Sequence, residues 1–579
     1  MYQSENKVQM KTKIFFISIV IFVIYSCNDA FMDRFPTDSF NDVNFWHNER
    51  ELSSYCNALY PLMINGHGTR FDIGAMLDGD NQSDNMAPAT PNAVAAGQQV
   101  VPETGGGWSW NVIRRCNYFL DLYNQTPIPQ EVKDRYAGEI KFFKSMEYFR
   151  LVKRFGDVPW YTHVVGTGPE LYASRDSRIL VMDSVLTNID WAIEKLPAKT
   201  ATIAVKGRVN RDVALALKAR ICLHEGTFRK YHGIQGYEKF LREAVSASQR
   251  LITEGNYSLN NTGNPNSDYS KVFNTLNLSN MSEVIMFRDY DQALDITTGM
   301  VRRLSDFTDN LSATKSLVDS YLCTDGKPIS QSSLFQSYND IFTEIVNRDP
   351  RLTQTVGGKI FPSPPTGTIT KPSIPGAMVG EGIAPTGYHI LKYWVNDAAE
   401  YARSQLGTLD APVFRFGETL LVYAEAKAEL GECDQPALDL SINKLRARAG
   451  MPNMVIANLV KDTQSDFPTL PVLIDEIRRE RRVELALEGF RYDDLMRWKA
   501  GKLLEKEVLG MKFVQTMYPA VVIGNQITVN ADGFITPYAK SLPNGRKFDD
   551  TNDKMYYFPL PTEELVLNKN LTQNPGWEK

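Results

Sequence analysis

The residues with most chemical potential lie in the run DEIRRERRVELALEGFRYDDLMRW, positions 475–498. Glu476, Glu480, Glu484 and Glu488 recur every fourth residue, and Arg478, Arg479, Arg481 and Arg482 fill the neighbouring lines. On a helix this spacing stacks the carboxylates along one line. Carboxylates beside arginines suit acid–base chemistry, because neighbouring charge and burial move their pKa. The same set equally makes a structural ion-pair network. Left in water, a glutamate row repels itself by about 0.2–0.5 kcal/mol per pair. The row is therefore better served by arginines arriving from other elements, with Arg446, Arg448 and Arg415 as partners. With no proline and one glycine, Gly489, the run predicts a single long helix over 474–499.

Other catalytic patterns are missing. His47, His67, His163, His224, His232 and His389 make no H-E-x-x-H or ligand-spaced pair, and the chain has no G-x-S-x-G elbow, P-loop or Rossmann glycine pattern. Asp78, Asp80 and Asp84 resemble the start of a calcium loop, but its twelfth-position acid is lacking. A glycosidase needs two carboxylates across a cleft, and 68 acidic residues single out no pair. The reading is a non-enzyme without metal or cofactor. After Cys27, the cysteines Cys56, Cys116, Cys222, Cys323 and Cys433 are scattered and read as single buried thiols.

Binding has better-placed signals. Trp108 and Trp110 follow Gly105, Gly106 and Gly107 at a loop-to-helix junction, and Asn111 comes three residues after Trp108. A tryptophan face covers the C–H groups of a sugar while an amide meets its hydroxyls. The alternative is that both rings staple the helix into the core.

The elements that must position these residues are mostly helical. Apolar stripes predict helices over 131–155, 183–196, 211–225, 237–254, 416–430 and 437–449. Small residues such as Ala214, Ala216 and Ala219 permit close helix approach, as in an α-solenoid-like stack. Residues 283–288 read as a strand, 72–96 as loop, 290–313 as a polar connection, and 357–387, rich in proline and glycine, as a long excursion. The 579 residues are 43% hydrophobic and 23% charged with a formal charge of -5, which argues against nucleic acid as main partner. At 11%, aromatics are plentiful enough for a surface that stacks on rings. Lys11 and Lys13 precede the apolar run 14–25, too short for a comfortable membrane span. The run ends at Ile24, Tyr25, Ser26 and Cys27, a loose lipobox that predicts a signal peptide over 1–26 and a lipid on Cys27. Met10, opening MKTK, is a second possible start.

Several blocks together resemble the SusD/RagB family of outer-membrane nutrient-binding lipoproteins. They are RFGETLLVYAEAKAELG from Arg415, NKLRARAGMP from Asn443, ERRVELALEGFRYDDLMRW from Glu480, and the closing YYFPLP and QNPGW. Phe45 and Trp46, the FGDVP stretch from Phe155, and Gly207 and Arg208 before an alanine-rich helix agree with it. The resemblance implies a mainly α fold, a superhelix of four tetratricopeptide-like helix pairs with an irregular ligand-binding portion. Residues 27–255 and 256–579 would form its N- and C-terminal portions in one compact unit. It also implies a lipid-anchored protein facing the cell exterior that captures oligosaccharide, or in some members peptide, for a SusC-like TonB-dependent transporter. In starch-binding members a Trp and an Asn three residues apart belong to the sugar site, a spacing that Trp108 and Asn111 match. Asp80, Asp84 and Tyr290 are further candidates from neighbouring loops. A surface glycoside hydrolase and a helical-repeat adaptor for proteins remain the alternatives.

Overall fold

The computed structural model describes residues 45–69, 73–201, 207–307, 310–357, 372–377 and 382–578. The leader and Cys27, and most of the 357–387 excursion, lie outside them.

The N-terminal helices are α1 (Glu49–Asn57), α2 (Asn111–Leu122), α3 (Gln130–Phe155), α4 (Arg178–Lys195), α5 (Arg211–His232) and α6 (Tyr237–Glu254). The C-terminal ones are α7 (Phe416–Glu429), α8 (Gln435–Leu440), α9 (Ile442–Arg448), α10 (Val472–Glu484) and α11 (Arg491–Arg497). From α2 to α7 each helix packs on the next, and α7 packs on α10. The starts are set by side-chain caps. Ser177 accepts from Leu180 N–H, and Asn210 accepts from the N–H groups of Asp212 and Val213. Small residues set the spacing: a Cβ on Gly226 of α5 would sit 2.8 Å from Leu241 of α6. The fold is a mainly helical stack of pairs.

Among the described residues six short strands lie in the irregular portion and at its join with the stack: β1 (Met86–Pro88), β2 (Val284–Arg288), β3 (Leu311–Ala313), β4 (Val356–Gly357), β5 (His389–Ile390) and β6 (Ala411–Arg415). They pair antiparallel as β1 with β3, β2 with β6 and β4 with β5. One large core runs through the helical stack and a second fills the irregular portion. α10 and the turn after it lie at their seam. Ile477 and Leu485 belong to the first core, and Val483, Ala486 and Leu487 to the second.

Three expectations are corrected. The single helix over 474–499 breaks between Glu484 and Arg491, where Leu487 and Gly489 take φ of 62° and 80°. A close backbone approach sits at this break: a Cβ on Gly79 would lie 2.9 Å from the Cα of Gly489. The helix over 437–449 is two, α8 and α9, interrupted at Ser441 with φ −127° and ψ −90°. The stretch read as loop over 72–96 holds a short helix (Gly74–Asp78), a 3-10 turn (Gly79–Gln82) and β1. Its Leu77 and Met86 enter the second core. Cys56, Cys116, Cys222 and Cys323 are buried free thiols, and Cys433 is a half-buried one.

Candidate functional site

The glutamate row faces cations from five elements. Glu484, at the end of α10, accepts from Arg448 of α9 (2.6 Å), Arg415 of β6 (2.7 Å) and Arg351 (2.9 Å). Glu480 pairs with Arg351 (2.7 Å) and Arg446 (2.9 Å), and Glu488 with Lys392 (2.6 Å) and Arg415 (2.7 and 2.8 Å). Glu476 takes the nearer Arg479 at 3.2 Å. Glu283 of the β2 edge joins the lattice through Arg415 (3.2 Å) and Arg448 (3.3 Å). Arg481 turns to Asp494 at 2.9 Å instead. All these side chains are buried except that of Arg479, which is 12% exposed.

Burial drives the pKa of Glu484 up, but Arg448, Arg415 and Arg351 together pull it well below the usual carboxylate range. Glu480 and Glu488 are likewise lowered against burial, by Arg351 and Arg446 in one case and Arg415 and Lys392 in the other. Only Glu476 is raised, by burial. Carboxylates held ionised by guanidinium donors, as Glu480, Glu484 and Glu488 are, act as acceptors in a structural lattice, not as proton donors poised for a substrate.

The structure places three of the expected ligand residues in the interior. Asp80 is wholly buried and accepts from the backbone N–H of Leu487 (2.7 Å) and Arg491 (3.4 Å), so it holds the turn between α10 and α11. Burial raises its pKa to about 7, partly offset by Asn85 and those two N–H groups. Asp84 binds Arg491 through both carboxylate oxygens (2.7 and 2.9 Å) and meets Arg482 at 3.1 Å. Burial opposes its ionisation, but these two arginines hold its pKa below the usual range. The hydroxyl of Tyr290 donates to the buried His67 carbonyl, and its backbone N–H donates to Asp410 at 3.1 Å. Asp80, Asp84 and Tyr290, expected as ligand contacts, are instead desolvated and paired inside the fold.

The tryptophans are divided. Trp108 is 6% exposed, edge-on to Phe155 (5.0 Å) and Trp110 (5.3 Å). Its loop is held to α3, where Arg154 Nε donates to the Gly106 carbonyl (2.7 Å) and Arg150 to that of Gly107 (3.2 Å). Helix α2 starts only at Asn111, so Trp108 and Asn111, three residues apart, do not share a helical turn. Asn111 is exposed.

Trp110 is half-buried, and its ring lies 5.2 Å from that of Tyr161. The two border a cavity of about 380 Å³ whose wall also includes Trp108, Tyr172, Arg114 and Glu564, while Asn111 is not part of it. Tyr172 is 48% exposed at its edge, and His163 of the same wall lies 3.6 Å from Asp121. Rings offering faces and edges, with charged and amide groups between them, can hold a ring-shaped polyol. Tyr161, Tyr172, Arg114 and Glu564 were not foreseen. They are dispersed over more than 400 positions, and only the aromatic surplus hinted at them. Among the described residues no group of three or more His, Cys, Asp or Glu is placed to hold a metal.

A stack of helix pairs with an aromatic-walled cavity defines a helical-repeat scaffold. The chain belongs to the SusD family, whose family model matches residues 282–577. Over 587 residues it is 22% identical to the SusD-like protein P2 of Formosa agariphila, covering 98% of this chain and 100% of that one. The SusD-like protein P25 of the same organism is 24% identical over 271 residues, 44% of this chain, and the chain spans 50% of that relative's length. In fold it is similar to a SusD-like carbohydrate binding protein from Bacteroides fragilis, with TM-score 0.71 and 23% identity over 91% of this chain and 100% of that one.

Proposed function

We propose that this protein is a non-catalytic surface lipoprotein that captures an oligosaccharide and passes it to a SusC-like TonB-dependent transporter of the outer membrane. The observation that carries the glycan reading is the cavity beside Trp110, where the partly open rings of Trp110, Tyr161 and Tyr172 stand next to Arg114 and Glu564. The carbohydrate-binding relative in Bacteroides fragilis supports it. The proposed anchor is lipid on Cys27. No helix among the described residues is long and apolar enough to cross a membrane.

Calorimetry of the mature protein against neutral and acidic oligosaccharides tests the reading. Binding by wild type should weaken about tenfold in Tyr172→Ala, because one aromatic contact contributes about 1–2 kcal/mol. Absence of any glycan binding would overturn it. So would release of new reducing ends that a single-carboxylate variant abolishes, the mark of a hydrolase. A peptide ligand is the second reading, favoured by Leu171 and Leu567, 50% and 62% exposed on the same wall. A peptide panel in the same calorimeter separates the two. Recovery of a barrel protein with the tagged chain from detergent-extracted membranes tests the partner.

A further inference from the structure

A larger cavity, about 470 Å³, lies between α3, α5, α7 and the segment joining α10 to α11. Its size falls within the range of small-molecule sites, about 300–1,000 Å³. The segment before and into α2 separates it from the aromatic cavity: Trp108 and Trp110 face that one, while Ser109 and Val112 border this one.

Its lining has two chemical halves. One is apolar and adaptable, with Met63, Met76 and Met146 beside Leu217, Leu223 and Phe149. Methionine side chains are unbranched and polarisable, so they fit flexible apolar chains of varied shape. The other half is a set of ion pairs: Arg150 with Glu147 (2.7 Å), Arg220 with Glu418 (2.7 Å), and Lys153 with Asp493. In two of these pairs the cation is the accessible partner. The Arg150 side chain is 41% exposed against 6% for Glu147, and Arg220 21% against 7% for Glu418. In those two pairs the carboxylate lies behind, so the surface reachable there offers guanidinium N–H donors, while in the third Asp493 is the more exposed partner, 34% against 24% for Lys153. The Nη1 of Arg481, which also lines this cavity, has no hydrogen-bond partner among the described residues. A donor-rich edge over a methionine and leucine surface suits one kind of molecule, with an acceptor head and an apolar body.

We infer that this cavity is a second binding site, separate from the aromatic one, for an amphipathic carboxylate of the fatty-acid class. Its chain lies along Met146, Leu217 and Leu223. Its carboxylate accepts from Arg150 and Arg220, each of which keeps its own glutamate. Charge-assisted hydrogen bonds to guanidinium select an ionised head over a hydroxyl.

Calorimetry of the mature protein with decanoate below its micelle concentration tests this, with decanol and a galacturonate trimer as comparisons. Decanoate should bind, and decanol should bind about tenfold more weakly for want of a charged acceptor. Met146→Trp, which fills the cavity from α3, should abolish decanoate binding while leaving the melting temperature and any glycan binding unchanged. Val112→Phe does the same from α2 if Met146→Trp destabilises the fold. Arg150→Gln, at an exposed position, should weaken decanoate but not decanol. No decanoate binding, equal affinity for decanol, or decanoate binding that survives both fillings would overturn the inference. So would trimer binding abolished by the fillings, which would make this cavity a site for acidic glycan.

Discussion

Glu484→Gln tests the lattice at its centre, because that carboxylate accepts from Arg448, Arg415 and Arg351 at 2.6, 2.7 and 2.9 Å. The amide keeps one acceptor oxygen but turns an NH₂ toward a guanidinium. At least one charge-assisted bond is lost, each worth about 1.5–3 kcal/mol. Arg448 is then left with Glu283, 3.3 Å away, as its remaining counter-charge. Breaking one member of a buried ionic network costs about 3–5 kcal/mol, and we expect a loss in that range. Denaturant melts at neutral pH read it as a lower midpoint with an unchanged slope. A double-mutant cycle with Arg448→Gln should give a coupling above about 1 kcal/mol. Acid sharpens the test. The folded pKa of Glu484 is depressed, so its contribution is present above the unfolded value of about 4.3 and lost as pH falls through the folded value. The gap between wild type and variant should therefore close only in strong acid. A loss under about 1 kcal/mol, or a coupling near zero, would refute the account, since a buried carboxylate with three guanidinium partners cannot be spared so lightly.

Asp80 has the opposite sign: with its pKa raised to about 7, its contribution is complete below the unfolded value of about 3.9 and lost as pH rises through the folded one. Asp80→Asn should flatten the stability–pH curve between about pH 4 and 7, measured by melts across that range; an unchanged curve would mean Asp80 does not titrate there. Trp108→Ala should lower stability by about 3–5 kcal/mol, because its ring is core against Phe155 and Trp110. A melting temperature that stays put would show the ring to be dispensable for packing. Gly79→Ala should cost about 1–3 kcal/mol in a denaturant melt, since its Cβ would press on the backbone of Gly489 and force a shift in the turn after α10.

How much could be read in advance follows from the range of the forces involved. Helix α6 carries its apolar stripe locally, with Gly236 and Gly255 just outside it, and its ends at Tyr237 and Glu254 coincide with those the stripe predicts. The four-residue spacing of the glutamates was equally plain, but the break after Glu484 was not. One of its holders is Asp80, a carboxylate more than 400 positions away that takes the Leu487 N–H. Asp80 and Asp84 sit in a stretch rich in Asp, Asn and Pro that looks solvated. Asp84 is paired by the Arg482 and Arg491 side chains and Asp80 by the Leu487 and Arg491 backbone N–H groups, all from the far end of the chain, which no local spacing reveals. The aromatic cavity was half legible. Trp110 stood out beside three glycines, whereas Tyr161, Tyr172 and Glu564 come together only through the fold.

The seam position of α10 explains why its charges are buried at all. A helix enclosed on every side is ordinarily apolar all round. Here the two cores take Ile477 and Leu485 on one side and Val483, Ala486 and Leu487 on the other, and the remaining line is filled by glutamates. Each glutamate must then meet a cation: Glu476 takes Arg479 of its own helix, and the others take cations from β6, α9, the Arg351 helix and the Lys392 loop. Apolar contacts alone would tolerate a sliding of the irregular portion against the helical stack. A lattice of directional bonds, with a cost for every member left unpaired, does not. The loop carrying Trp108 and Trp110 at the aromatic cavity is held differently, by the Gly106 and Gly107 carbonyls on the α3 arginines. That separation leaves the cavity wall free to differ in size and polarity without touching the bonds that fix the scaffold.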